Sequence, residues 1–384
     1  MTKLKQTLIF LFIAAASSAF AQGLIIGHNE AAAVTNVPQS VMDQVGQLRL
    51  FFTHASVGGN ITTGMNQLHT NNPARYQLQV YNYDGNNDDD SYHGGVGTAG
   101  SEGSADYRAE ASFSTANGIL YECQRSNPSW QNKLVCFSNS LATSGWGSPT
   151  RINVAMDKFC WIDQNADATT YVSSIQRLEA MHPNTLIVYA TMPLTRAGAS
   201  DYENDLRNTF NRYVRGWAWT NNRALFDIAD IEAHDTNGVE QTFVYSGRTN
   251  QQAWNSYTVD DGHLNYLGRQ QIAKGWYALL AGLFSIDRDG DGMSDGQELI
   301  AGMCPTSSSS AFRCEASPMA SSNAVVLSWP STSNRIYTLQ RMTNLLSSGG
   351  TSNLVTDAPA TPPLNTHTDT TTESTGFYRL SVRQ

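Results

Sequence analysis

The sequence predicts a protein of the α/β class, with a parallel sheet covered by helices on both faces and a small β-sandwich-like domain at its C-terminal side. Three observations predict this architecture. Apolar strand-like runs alternate with helical segments over residues 47–284, which is typical of parallel sheets. A dense acidic segment interrupts this alternation near residue 286. Beyond it, β-type runs separated by Thr, Ser and Pro occupy residues 316–384.

The predicted elements follow in a regular order. Strands are expected at 47–53, 76–83, 152–162, 186–191 and 224–228, with 186–191 in the centre of the sheet. Helices are expected at 61–69, 169–181, 202–219 and 264–284. Residues 22–46 are expected to be irregular, and the Gly-, Asp- and Asn-rich residues 84–106 to form a long loop. Further strands are expected at 324–329, 335–340 and 376–382. The predicted domains are a signal peptide (1–21), a main domain (22–285), an acidic loop with a linker (286–315) and a β-rich module (316–384).

The first residues have the pattern of a secretory signal peptide. Lys3 and Lys5 precede a short apolar run at 8–16, and Ala19 and Ala21 fit the small-x-small cleavage rule. We expect cleavage after Ala21 and a secreted protein, periplasmic or extracellular. The alternative is an uncleaved anchor, although no stop-transfer pattern follows and the run is shorter than the roughly 20 residues that span a bilayer. No membrane span is expected elsewhere in the chain.

The composition indicates which classes of partner and which cysteine-based sites the protein is expected to lack. The chain has 24 Lys and Arg against 33 Asp and Glu, a formal net charge of -9, which argues against a nucleic-acid partner. Its five cysteines leave at least one unpaired. Cys304 and Cys314 are the favoured pair, Cys123 with Cys136 is also plausible, and Cys160 is expected to be a buried free thiol. No CxxC motif occurs, which disfavours zinc and redox sites of that kind.

A serine stands between the first predicted strand and the first predicted helix. A nucleophilic serine needs an exposed hydroxyl at a strand end, a base to take its proton and donors for the oxyanion. Ser56 meets the first requirement, because it follows the strand and is flanked by small residues. The alternative is that Ser56 only caps the helix.

The second candidate motif, Asp260-x-x-His263, lies just before the last predicted helix of the main domain. An acidic residue within one turn of a histidine can orient the ring while its other nitrogen faces a serine. Asp260 is the first candidate for this role and Asp261 the second. The alternative is an acidic turn with a surface histidine.

Together, the serine after the first strand and the D-x-x-H motif before the last helix resemble the first and last sequence blocks of the SGNH/GDSL hydrolase superfamily. The resemblance covers about residues 47–284. It implies a three-layer α/β/α fold and cleavage of esters, commonly acetyl or acyl esters, without a cofactor for catalysis. It also implies that Ser56 is the nucleophile, His263 the base and Asp260 the residue that orients it.

The chain departs from the family pattern at its first block. The usual Gly-Asp-Ser is replaced by His54-Ala55-Ser56, and we interpret His54 as lining the pocket. The segment 54–58 is one residue short of a G-x-S-x-G elbow, so an α/β-hydrolase would use the same serine. The short spacing between Asp260 and His263 favours the SGNH interpretation. A rival serine, Ser101, lacks a preceding strand.

The oxyanion donors are less well defined by the pattern. A literal Gly-x-Asn-Asp occurs at 85–88, but it follows the second strand rather than a middle one. The third predicted strand carries Lys158, which would be costly in an apolar strand unless it is paired or useful. The candidates are the Ser56 N–H, a glycine N–H within 94–97, and the side chain of Asn87 or Lys158. Asn87 can equally be an Asx-turn residue.

The acidic segment matches a twelve-residue EF-type calcium loop at every position. Five carboxylates, a glycine at position six and a carbonyl at position seven are the expected features of such a loop. The candidate ligands are Asp287, Asp289, Asp291, Met293, Asp295 and Glu298. The segment resembles dockerin and thrombospondin type 3 repeats, and carboxylates this close repel one another without a cation. We expect a structural Ca²⁺ that stiffens the domain junction; the alternative is a solvated acidic linker.

These observations favour a secreted serine esterase acting on an acyl or acetyl ester, with an acetylated polysaccharide as one substrate class. Trp130, Trp146, Trp161 and Trp254 can stack on sugars, although most tryptophans belong to protein cores. The alternative is a non-catalytic carbohydrate-binding or adhesion protein on a degenerate hydrolase scaffold. For the β-rich module, carbohydrate contact, surface attachment and a plain spacer all stay open.

Overall fold

The computed structural model describes residues 23–82, 117–125, 127–141, 152–319, 324–343, 351–370 and 376–384. Several predictions from the sequence fall outside these residues: the signal peptide at 1–21, the whole loop at 84–106 with Asn87, the glycines of 94–97 and Ser101, and Trp146. Among the described residues, no helix combines the length and the apolar character that crossing a bilayer requires.

A seven-stranded sheet, parallel throughout, forms the centre of the main domain. Its strands are β1 (Ile25–Ile26), β2 (Arg49–His54), β3 (Gln79–Asn82), β4 (Ile119–Gln124), β5 (Val154–Asp157), β6 (Leu186–Ala190) and β7 (Leu225–Phe226). The strand order is β1-β7-β6-β5-β2-β4-β3. This sheet confirms the predicted α/β class.

Nine helices accompany this sheet in the described part of the chain. They are α1 (His28–Ala33), α2 (Gln39–Val45), α3 (Val57–Asn71), α4 (Trp130–Ser140), α5 (Ala168–Met181), α6 (Asp201–Thr220), α7 (Ile228–Ala233), α8 (Tyr266–Gly282) and α9 (Asp295–Ala301). Short 3₁₀ turns lie at Val34–Asn36, Trp161–Asp163 and Asn255–Tyr257.

Both faces of the sheet are buried, because successive side chains of each strand point to opposite faces. In β2, Leu50 and Phe52 belong to an apolar cluster with α1, α2, α3 and α8. Phe51 belongs to a second cluster with α4, α5 and α6. The main domain therefore has three layers, as the family resemblance implies.

Several sequence predictions about elements were wrong. Residues 22–46 are not irregular, since they contain β1, α1 and α2. Strand β4 and helix α4 were missed, and β4 pairs directly with β2. The third strand ends at Asp157, so Lys158 lies just beyond it. The middle position of the sheet belongs to β5, with β6 as its neighbour.

The C-terminal residues form the predicted small β-sandwich-like domain. One antiparallel sheet has the order β10-β11-β14 and the other β13-β12-β15, and an antiparallel hairpin, β8-β9, belongs to the main domain. Their strands are β8 (Thr242–Tyr245), β9 (Arg248–Gln251), β10 (Glu315–Pro318), β11 (Val325–Pro330), β12 (Ile336–Met342), β13 (Thr351–Pro359), β14 (Leu364–Asp369) and β15 (Phe377–Arg383). The core contains Leu327, Trp329, Tyr337 and Leu339.

This β domain docks on the amino-terminal edge of the parallel sheet. The side-chain amide of Gln384 donates to Asn153 Oδ1 at 2.9 Å, just before β5 begins. Arg335 donates through Nη2 to the carbonyl of Leu299 in α9. Ser56 follows the carboxyl end of β2. The candidate nucleophile therefore lies at the carboxyl ends of the parallel strands, and the β domain lies at their amino ends.

All five cysteines are free thiols in the structure, and four of them are buried. The pairing favoured from sequence, Cys304 with Cys314, is therefore not formed, nor is Cys123 with Cys136. The Cys304 thiol contacts Thr306 Oγ1 at 3.4 Å instead. The prediction that Cys160 is a buried free thiol is confirmed.

Candidate active site

Ser56 lies in the turn between β2 and α3, in a backbone conformation that residues other than glycine rarely adopt (φ 54°, ψ -117°). Such strain is characteristic of functional turns. Ser56 occupies the N-cap position of α3, but its hydroxyl makes no capping hydrogen bond. Within the described residues its backbone N–H has no acceptor either, so this donor is available to a bound group.

The nucleophile candidate and the histidine meet across 207 positions of the chain. Ser56 Oγ lies 2.6 Å from Nε2 of His263. On the other side of the ring, His263 Nδ1 lies 2.7 Å from Asp260 Oδ2. With its Nδ1–H donated to Asp260, the neutral imidazole presents a lone pair at Nε2 to the serine hydroxyl. The arrangement is a complete Ser-His-Asp chain of hydrogen bonds.

The Asp260 carboxylate is held in place by its own turn. Its Oδ1 accepts the backbone N–H of Gly262 at 2.9 Å and that of His263 at 2.7 Å. Partial burial by itself would raise the pKa of Asp260, but these bonds and the His263 ring together lower it. Asp261, the second candidate, points instead to Arg196 at 3.7 Å. The carboxylate that orients His263 is therefore that of Asp260.

Asn60 joins the serine helix to the histidine loop, a contact that the sequence did not suggest. Its side chain is fully buried, and Oδ1 accepts the backbone N–H of Leu264 at 2.7 Å. Because Leu264 follows His263, this bond fixes the loop against the first turns of α3. Nothing in the residue pattern near Asn60 indicates this partner 204 positions away.

Trp161 forms one wall of the site. Its ring meets that of His263 edge to face, with centroids 6.1 Å apart, and a side chain at Gly262 would press against it. The Trp161 carbonyl accepts from Arg207 Nε at 2.6 Å, and the guanidinium also lies over the ring. Trp161 also packs against the first core cluster, as does Trp254, and Trp130 packs against the second. Of the three described tryptophans considered for sugar stacking, only Trp161 borders the triad.

His54 does not line the pocket as expected. It is fully buried, and its Nε2 lies 3.2 Å from the carboxylate of Glu122. The ring fills the space beneath the first turn of α3, where a Cβ at Gly58 would lie only 2.2 Å from that of His54. Burial lowers the pKa of His54, although Glu122 opposes this effect. The imidazole that contacts the Ser56 hydroxyl is that of His263, not that of His54.

Lys158 lies at the carboxyl edge of the sheet, beside the end of β2. Its ammonium is fully buried and has no hydrogen-bond partner among the described residues. Burial lowers the pKa of Lys158 to about 8. The structure gives Lys158 no contact with Ser56 or His263, so its role as an oxyanion donor stays a prediction.

The residue before it, Asp157, belongs to a buried ion pair that the sequence did not reveal. Arg125, which follows β4, binds both oxygens of Asp157 at 2.6 and 3.0 Å. The same guanidinium donates to the Lys158 carbonyl at 2.7 Å. A bidentate pair of this kind is geometrically specific, so it fixes the ends of β4 and β5 against each other.

The acidic loop lies between α8 and α9, with Gly290 and Gly292 at positive φ. Carboxylate oxygens of Asp287, Asp289 and Asp291 lie within 4.8 Å of one another. Asp287 also accepts the backbone N–H groups of Gly290 and Gly292, at 2.7 and 2.9 Å. These bonds fold the loop around its acidic residues.

Glu298 is the most informative member of this loop. Its side chain is fully buried, yet neither carboxylate oxygen has a partner among the described residues. Burial, followed by the charges of Asp289 and Asp291, raises the pKa of Glu298 to about 9. Asp295 has a different environment, because its carboxylate binds Arg288. The unsatisfied oxygens of Glu298, Asp289 and Asp291 fit a hard cation such as Ca²⁺.

Comparison with known proteins finds no matching family model and no matching curated protein. Solved structures do resemble the chain. An acetyl xylan esterase, AlAXEase, is 11% identical with a TM-score of 0.32, over 60% of this chain and 98% of its own. A GDSL-like lipase from Bacteroides thetaiotaomicron is 10% identical with a TM-score of 0.32, over 64% and 92%. These TM-scores are low, so the functional assignment depends on the site geometry.

Proposed function

We propose that the protein is a serine esterase in which Ser56 attacks an acyl or acetyl ester. The observation that carries this proposal is the continuous hydrogen-bond chain from Ser56 Oγ through His263 to Asp260, with steps of 2.6 and 2.7 Å. A serine that only caps a helix would point its hydroxyl at the helix N–H groups, whereas Ser56 points it at an imidazole.

The chemistry follows from the positions of these atoms. His263 Nε2 takes the Ser56 proton as the oxygen attacks the ester carbonyl, and Asp260 stabilises the imidazolium that forms. The Ser56 N–H is placed to donate to the oxyanion. His263 then protonates the leaving alcohol, and a water activated by the same nitrogen releases the acid from the acyl-enzyme. Lys158 and Asn87 remain candidates for a second oxyanion donor.

An acetylated polysaccharide outside the cell membrane is our proposed substrate class. The predicted signal peptide supports a secreted protein, and Trp161 offers an aromatic surface beside the triad on which a sugar ring can stack. The β domain docks at the other edge of the sheet. If it binds carbohydrate, it therefore does so away from Ser56.

The test is hydrolysis of p-nitrophenyl acetate by the mature chain and by Ser56→Ala. We expect Ser56→Ala to lower kcat by about 10⁴-fold or more, because the nucleophile is absent. Ser173→Ala is the matched control, because Ser173 is exposed on α5 and its hydroxyl donates only to the Thr169 carbonyl of the same helix. This variant should keep full activity. Equal rates for Ser56→Ala and the wild type would refute the assignment.

A non-catalytic binding protein on the same scaffold is the second candidate, favoured by the replacement of Gly-Asp-Ser with His54-Ala55-Ser56. A fluorophosphonate probe separates the two functions, since only an activated serine reacts with it. Labelling of the wild type but not of His263→Ala supports the esterase. Absence of labelling in both proteins supports the binding protein.

We further propose that the acidic loop binds a structural Ca²⁺ through Asp287, Asp289, Asp291, Met293, Asp295 and Glu298. The buried, unpartnered carboxylate of Glu298 carries this proposal, because a buried charge without a partner is costly unless a cation neutralises it. Leu299 in the following helix belongs to the main core, and its carbonyl accepts from Asn153. The cation would therefore stiffen the junction between the two domains.

Calcium added to chelated protein should raise its Tm, whereas the same concentration of Mg²⁺ should raise it less, because Mg²⁺ requires a tighter octahedral geometry. Asp289→Ala should lose most of the calcium effect. A Tm that does not respond to calcium in the wild type would contradict the proposal.

A further inference from the structure

A second cluster of metal-ligating side chains lies outside the triad and the acidic loop. It contains His28 at the start of α1, Asp230 in α7 and His234 directly after α7. Asp230 and His234 are four residues apart, a spacing that places two side chains on one face of a helix. His28 reaches them from a segment 202 positions earlier. The three side chains are only partly exposed, at 23%, 21% and 9%.

Asp230 is the centre of this cluster. Its Oδ2 accepts the backbone N–H of His28 at 2.8 Å and lies 2.6 Å from the ring Nδ1 of the same residue. Its Oδ1 lies 3.4 Å from His234 Nδ1, which donates its proton to the Asp230 backbone carbonyl at 2.7 Å. Gly27 permits this close approach, because a Cβ there would lie 2.3 Å from Asp230 Oδ2. One carboxylate therefore faces the Nδ1 atoms of two imidazoles.

Asp230 forms no ion pair with an arginine or lysine among the described residues. The nearby Arg215 binds both oxygens of Asp227, at 2.5 and 2.7 Å. Gln251 donates its side-chain amide to Glu240 at 2.8 Å and only weakly to Asp230, at 3.4 Å. Two imidazoles and one carboxylate that is not engaged by a cationic side chain form a donor set suited to Zn²⁺ and similar transition metals.

We propose that His28, Asp230 and His234 bind a divalent transition-metal ion, Zn²⁺ being the type case. One ligand atom of each residue lies within 4.8 Å of the others. Two ligands on a tetrahedral ion with bonds of about 2.0–2.1 Å are about 3.3 Å apart, close to the 3.4 Å between His234 Nδ1 and Asp230 Oδ1. Water completes the coordination, since the cluster is partly exposed.

Binding requires His234 Nδ1 to give up its hydrogen bond to the Asp230 carbonyl, with its proton moving to Nε2, and the two rings to separate. The two imidazole rings are stacked, with centroids 3.4 Å apart and planes within 9°, so their in-plane lone pairs run parallel. The rings must splay apart for both Nδ1 atoms to face one ion, and each neutral ring then carries its proton on Nε2. The ion would join the first helix to α7 at the β1–β7 edge of the sheet. Metal binding should therefore separate the stacked rings of His28 and His234, and spectroscopy of the histidine rings can detect this change.

The test is calorimetric titration of the full chain with ZnCl₂, in excess Ca²⁺ so that the acidic loop is occupied. All proteins carry His263→Ala, which prevents binding at the catalytic imidazole. We expect His28→Gln and His234→Gln each to weaken the Zn²⁺ affinity by about tenfold or more, because each removes a ligand. His182→Gln, which changes a histidine at the end of α5, is the matched control and should bind like its parent.

Circular dichroism without Zn²⁺ establishes that each variant is folded. NMR resonances of the histidine rings report whether the His28 and His234 rings separate when Zn²⁺ binds. Zn²⁺ should raise the Tm of the parent and of His182→Gln, but not that of the two cluster variants. Absence of Zn²⁺ binding to the parent would overturn the proposal. Binding that persists unchanged in both His28→Gln and His234→Gln would overturn it as well.

Discussion

The triad and the acidic loop are both clusters of polar side chains, but they differ in how completely the protein satisfies them. Around His263, each ring nitrogen has a partner within 2.7 Å, and the Asp260 carboxylate accepts two backbone N–H groups. In the loop, both oxygens of the buried Glu298 are without a partner in the described chain. The hydrogen bonds of the triad are complete in the protein alone, whereas the loop leaves buried carboxylate oxygens without a partner among the described residues.

This difference matches what the two proposed functions require. Groups that act on a substrate must be positioned before it arrives, because organising them during the reaction would raise the barrier. A structural metal site instead gains its stability when the ion binds. The satisfied cluster is therefore the candidate for chemistry, and the unsatisfied one is the candidate for calcium.

The largest expected effect comes from removing the Asp260 carboxylate, which completes the hydrogen-bond chain of the triad. Asp260→Asn should lower kcat for p-nitrophenyl acetate by about 10²–10⁴-fold, because an amide cannot stabilise the imidazolium of His263 as a carboxylate does. Asp261→Asn is the matched control, since that carboxylate points to Arg196, and it should change kcat by less than about twofold. Similar losses in the two variants would show that the turn, rather than the Asp260 carboxylate, matters.

The next prediction concerns the unpartnered carboxylate of Glu298 in the acidic loop. Glu298→Gln should raise the Tm of chelated protein, because the buried amide is neutral without taking up a proton, and should abolish most of the calcium response. At calcium a hundredfold above Kd the wild type gains about 2.7 kcal/mol, which for a chain of this length corresponds to a Tm increase of about 3–4 °C. Glu315→Gln, at an exposed position of β10, is the control and should respond like the wild type. A full calcium response in Glu298→Gln would remove this residue from the ligand set.

A smaller effect concerns the buried histidine beneath Ser56. Burial lowers the pKa of His54, so the folded protein resists its protonation more than the unfolded chain does. The resulting stability is present above the unfolded pKa of about 6.5 and is lost as the pH falls through the lowered folded value, by at most about 1.4 kcal/mol per pH unit. His54→Gln should flatten this acid slope of the unfolding free energy. His69→Gln, at a half-buried position near the end of α3, should keep it.

The smallest expected effect is the influence of calcium in the acidic loop on kcat at the triad, and of Ser56→Ala on the calcium-dependent Tm. Helix α8 begins near the triad and ends near the loop, and its 17 residues span about 25 Å. Chelation should therefore change kcat by less than about twofold well below the Tm, and Ser56→Ala should keep the calcium-dependent Tm increase. A large loss of activity on chelation at a temperature where the protein stays folded would show that the two clusters are coupled.

Much of the main domain was predictable because many of its strands and helices are indicated by residues that are close together in the sequence. The apolar runs of β2, β6 and β7 and the helical spacing of α5, α6 and α8 predicted their places in the chain. Strand β4 was missed, and so was its neighbour α4. The acidic loop was the clearest signal, since all its candidate ligands lie within twelve consecutive residues.

The sequence by itself determined which residues are candidates for the chemistry: a serine after a strand, Asp260 and His263 within one turn, and a loop of carboxylates. Only the tertiary structure decided which of them meet. It brought His263 to Ser56, tied Asn60 to Leu264, paired Arg125 with Asp157 and buried His54 away from the pocket. The physical reason is that such contacts depend on strand order and helix packing, which join segments up to about two hundred residues apart and leave no periodic trace in the chain.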